Sequence, residues 1–81
     1  MKKKPQINPD KELKRLGNRI KQLRVKAGFT SYEYFAYEHE ISRTQYARYE
    51  QGKDLRFSTL LKIINAHGIT VKQFFSEGFE D

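Results

Sequence analysis

Three glycines punctuate this chain: Gly28, Gly52 and Gly68 each close a short segment whose apolar residues recur at helical spacing. Asn8, Thr30, Ser42 and Thr70 stand where helices would begin, because such side chains accept from the open backbone N–H groups of a first turn. Between these marks the pieces are too short to be stable alone, and each must bury its apolar stripe against the others. No alternating strand pattern, internal repeat or long loop interrupts them, so the 81 residues are expected to form one small all-α domain of five helices.

The first helix opens at Asn8-Pro9, where Asn caps and Pro tolerates the first helical position. Leu13, Leu16, Ile20, Leu23 and Ala27 then make one stripe, leaving Lys14, Arg15, Lys21 and Lys26 largely off it. Thr30-Ser31-Tyr32-Glu33 has the pattern of a capping box with Thr30 as cap, predicting a second helix over about 31–38 with Phe35 and Ala36 inward. After His39-Glu40-Ile41, Ser42 caps a third helix over 43–51 with Tyr46 and Tyr49 inward. A fourth carries Leu60, Leu61, Ile63 and Ile64, and Thr70 caps a short fifth anchored by Phe74 and Phe75. The expected core is Leu16, Ile20, Leu23, Phe35, Ala36, Ile41, Tyr46, Tyr49, Leu60, Ile64, Ile69 and Phe74. Residues 1–8 are expected to be a disordered basic arm, 9–76 the folded domain and 77–81 a frayed acidic tail.

Composition narrows the function classes. Hydrophobic residues are 37% of the chain, enough for a few amphipathic helices, and there is no Cys to supply a disulfide, a thiolate metal site or a nucleophile. A small chain without such a staple is expected in the cytoplasm, and no apolar run approaches the ~20 residues of a membrane span. Net charge is +6, but its distribution is uneven. Residues 1–30 hold ten bases against two acids, and residues 31–81 hold six against eight. Such a basic segment attracts a polyanion by releasing its condensed counterions, although a solvated helix face beside a lysine tail has the same charge. His39 and His67 lack metal-ligand spacing and read as solvent or capping histidines. No paired acids, nucleophile elbow or glycine-rich phosphate loop is present, so neither an enzyme nor a cofactor is expected.

Two short helices joined by a tight turn, the second polar outside, make a helix-turn-helix arrangement. SRTQYARYEQGK (Ser42 to Lys53) resembles the recognition helix and following turn of the Cro/phage-repressor, or XRE, family of lambda repressor-like DNA-binding domains. LGNRIKQLRVKAG (Leu16 to Gly28) resembles that family's first helix, and FSTLLKIINAHGITVKQFF (Phe57 to Phe75) its closing pair. Together they cover roughly residues 13–76, in the family's order and spacing. This chain differs in placing Glu40 where the turn normally has Gly, Tyr32 where a Gln is common, and Tyr46 and Tyr49 for an aliphatic pair.

The resemblance implies a sequence-specific transcriptional regulator whose partner is double-stranded DNA. Arg43, Thr44 and Arg48 would reach base edges in the major groove, with Gln45 and Ala47 flanking them. Ser31 and Tyr32 would meet phosphate at the start of the second helix, and Gln51 and Lys53 just past the third. The lysine arm would add contacts of its own. Arg24 and Glu50 match positions that pair to join the first and third helices. Repressors of this family bind as homodimers on two-fold operators, with half-sites about one turn apart. The alternative is a protein-interaction module, antitoxin-like or accessory, whose five Tyr and six Phe would anchor a protein partner.

Overall fold

The computed structural model describes residues 6–80, and these form five helices. They are α1 (Pro9–Lys26), α2 (Tyr32–Glu38), α3 (Arg43–Glu50), α4 (Phe57–Ala66) and α5 (Val71–Phe74). The lysines of the expected arm lie outside the described residues. Asn8 caps α1 as anticipated, its Oδ1 accepting from the N–H groups of Asp10 and Lys11 at 3.1 and 3.3 Å. Thr70 and Gln73 form a complete capping box on α5. At α2 the cap is Ser31 rather than Thr30, its Oγ accepting from the Tyr34 N–H at 3.4 Å, so the expected box with Glu33 does not form. The preceding loop is drawn inward at Phe29, whose N–H donates to the Arg24 carbonyl and whose ring meets Phe35 edge-on at 5.3 Å.

Ile20, Phe35, Ala36, Tyr46, Leu60, Ile63, Ile64 and Phe74 make the buried core. Leu16, Leu23, Ile41, Tyr49 and Ile69 pack partly against it. Leu61 on α4 and Phe75, just past the end of α5, are more exposed than the residues before them, although Phe75 still meets the Phe74 ring at 4.9 Å. Both histidines are C-caps, His39 of α2 and His67 of α4, and both also pack on an aromatic ring of the core rather than standing in solvent. His67 stacks on Phe35 at 4.9 Å and 15°, and His39 meets the same ring at 4.5 Å. Burial, then the nearby charges of His39 and Arg19, push the His67 pKa down.

Residues 77–80 lie against the helices. Phe79 packs on the core and lies 4.9 Å from the Phe75 ring, while Arg15 donates to the carbonyls of Phe79 and Glu80. Arg19, buried on α1, donates to the Gln73 and Phe74 carbonyls at 3.0 and 2.7 Å and pairs with Glu77. It thereby satisfies carbonyls that the end of α5 leaves open.

Candidate nucleic-acid interface

The position of α3 is decided by its contacts with α1. Gly17 is the notch: a Cβ there would lie 2.7 Å from the Tyr49 carbonyl oxygen and 2.8 Å from that of Glu50. Only the missing side chain lets the end of α3 approach the α1 backbone this closely. Beside the notch, Arg24 Nε and Nη2 donate to the two Glu50 carboxylate oxygens at 2.7 and 3.1 Å, and Nη1 donates to the Phe29 carbonyl at 2.6 Å. Both side chains are buried, and the bond to Glu50 holds the Arg24 pKa above its ordinary value. Arg24 and Glu50 thus pair as the resemblance implied. Tyr46 fills the space beneath α3, and burial, then the Glu50 carboxylate, pushes its phenol pKa up.

With its inner face locked, α3 turns a polar face outward. Ser42 starts it, its Oγ accepting from the Gln45 N–H at 3.5 Å. Arg43, Thr44, Gln45, Arg48, Gln51 and Lys53 are all exposed. Glu40, in the turn before α3, has a φ of 57°, the left-handed conformation that Gly adopts without strain. The Lys62 ammonium donates to the Glu40 carbonyl at 3.0 Å, tying α4 to this turn.

Two surface depressions gather the side chains that the sequence singled out. One, of about 410 Å³, brings Tyr32 of α2 together with Arg43, Thr44, Arg48 and Gln51. The other, of about 530 Å³, joins Gln45, Arg48 and Lys53. Arg48 belongs to both and is the middle of the surface. Tyr49, expected inward, is only half-buried; it lines the second depression, and its hydroxyl donates to Gln45 Oε1 at 3.1 Å. Ser31 stands apart from both, half-buried and with its hydroxyl engaged in capping α2.

Sequence reasoning missed two members of this surface. Arg56, at the N-cap of α4, adds a third cation beside Arg48 and Lys53; its place just before the fourth apolar run was the available signal. Glu33 meets Arg43 across the helix-turn-helix, Oε2 to Nη1 at 3.5 Å, and no local pattern joins residues ten apart on two helices. Among the described residues no group of His, Asp and Glu could hold a metal ion, and no helix is long and apolar enough to cross a membrane.

Comparison with known proteins agrees with this geometry. The helix-turn-helix family model matches residues 20–74. A protein named Control protein C.MunI, from Mycoplasma sp, is 38% identical over 64 residues, covering 78% of this chain and 86% of its own length. No solved structure matches the chain. Both relationships favour a regulator over an interaction module. With the family model spanning most of the chain and the relative aligned over nearly all of its length, the chain belongs to the helix-turn-helix family, of the XRE type, and is a DNA-binding transcriptional regulator.

Proposed function

We propose that α3 is the helix that enters the major groove and reads sequence there. The observation that carries this is the division of its two faces. Tyr46, Glu50 and the Gly17 notch fix the inner face, whereas Arg43, Thr44, Gln45 and Arg48 stand exposed on the outer one. Arg43 and Arg48 each donate to guanine O6 and N7, Thr44 meets a thymine methyl or accepts a hydrogen bond, and Gln45 supports them. Tyr32, Gln51, Lys53 and, added from the geometry, Arg56 hold flanking phosphates; Ser31 contributes through the start of α2. The protein acts as a homodimer on a two-fold operator, supported by the exposed Phe57, Leu61 and Val71 on α4 and α5 and Phe75 just past α5. We also place its action in the cytoplasm.

A gel shift on duplex DNA in rising salt tests the proposal. Binding is expected to weaken steeply with salt, and an Arg43→Ala, Arg48→Ala protein to lose its preference for any sequence while keeping its fold. Undiminished discrimination by that protein would assign base reading to another element.

A further inference from the structure

The Glu33 carboxylate is out of place on a surface that meets phosphates. It lies in the first turn of α2, and its Oε2 is 3.5 Å from Nη1 of Arg43, the first residue of α3. Glu33 and Arg43 line the 410 Å³ depression together, and they also line a third one of about 540 Å³ with Tyr34 and Tyr37. The pair is therefore a ridge between two recesses at the leading end of the reading helix. Arg43 has a physical need for this partner. A cation at a helix N-terminus is opposed by the helix dipole, and α3 has no acidic residue in its own first turn. Glu33 supplies that charge from the neighbouring helix.

We propose that Glu33 is a specificity-determining residue, its carboxylate holding the Arg43 guanidinium on the reading surface in competition with DNA phosphates. The inference rests on α3 being the reading helix. A single phosphate offers Arg43 little that Glu33 does not, and it is repelled by the carboxylate. A guanine edge offers two acceptors in the plane of the guanidinium and carries no net charge to be repelled. Glu33 thus lowers affinity for arbitrary DNA more than for the cognate site, and discrimination comes from the disfavoured competitor as much as from the favoured contact.

The test measures binding of the full chain to a selected duplex and to a random-sequence duplex by fluorescence anisotropy, between about 50 and about 200 mM salt. The proteins are wild type, Glu33→Gln, Arg43→Ala, the double variant, and Glu38→Gln as a control for removing a negative charge elsewhere on α2. Freeing Arg43 for one more phosphate steepens the log–log salt slope by about 0.9, so the advantage of Glu33→Gln over wild type on the random duplex is about threefold larger at the lower salt than at the higher. The selected duplex gains less, narrowing the ratio between the two. In the Arg43→Ala background, Glu33→Gln leaves the ratio between the two duplexes unchanged. Equal gains on both duplexes, or a Glu33→Gln protein that matches Glu38→Gln, would overturn the assignment while leaving α3 as the reading helix. Wild-type binding of the selected duplex by Arg43→Ala would overturn the assignment of Arg43 as a base reader, and the role of Glu33 with it.

Discussion

Two arginine–glutamate pairs connect α3 to its neighbours, with the same chemical groups in opposite surroundings. Arg24 and Glu50 meet at 2.7 Å with side chains 6% and 9% exposed, whereas Arg43 and Glu33 meet at 3.5 Å with 69% and 55% exposed. Desolvated charges must keep their partner, because a buried charge left alone is far more expensive than the pair is favourable. Solvated charges exchange partners almost freely. The inner pair therefore fixes where α3 lies, and the outer one is free to be rearranged when another partner arrives. Position is set on one face of the helix and recognition on the other.

Loss of the inner pair has the larger effect on stability. Arg24→Ala leaves Glu50 buried without its cation and removes a donor from the Phe29 carbonyl, a loss of about 3–5 kcal/mol. That is a large share of a small domain's stability, and urea denaturation should show a far lower midpoint. A midpoint near wild type would mean that the inner pair is not what anchors α3. Gly17→Ala is next. Its new methyl meets backbone rather than a side chain that can swing away, so a loss of about 1–3 kcal/mol is expected, with weaker DNA binding as α3 is pushed outward. Asn18→Ala, one residue along on the exposed side, should change stability by less than about 0.5 kcal/mol.

Acid acts on the fold through His67, the ring stacked on Phe35. Because the folded-state pKa of His67 lies below its unfolded value, the unfolded chain takes up the proton first as pH falls. Stability is therefore complete above the unfolded value of about 6.5 and declines below it. Urea midpoints at mildly acid and neutral pH should differ in wild type and differ less in His67→Gln; identical differences would dissociate His67 from the effect. The outer pair contributes little to stability: Glu33→Gln should alter the unfolding free energy by less than about 1 kcal/mol.

Local signals reached much of this architecture. Caps at Asn8, Ser42 and Thr70, and the inward position of Tyr46, follow from residue chemistry within one or two turns of helix. What escaped depends on distance along the chain or on a choice between equivalents. Thr30 and Ser31 can both cap α2, and the inward pull of Phe29 selects the second. Arg19 is buried because carbonyls 54 and 55 residues away need donors, and no periodicity announces that. Phe79 joins the core from a segment that has no helical spacing. At the interface the exposed cations of α3 were legible from the family's pattern. The pairing of Arg43 with Glu33, and the gathering of Arg56 with Arg48 and Lys53, required the folded geometry.

Selection from a random duplex library, carried out with wild type, Arg43→Ala and Arg48→Ala and read base by base, bears most directly on the role of α3. Wild type should enrich a motif with two related half-sites. Each alanine should erase the preference at its own guanine, worth about 1–3 kcal/mol, and leave the other positions intact. Enrichment of the same motif by all three proteins would contradict the proposal that this helix reads the sequence.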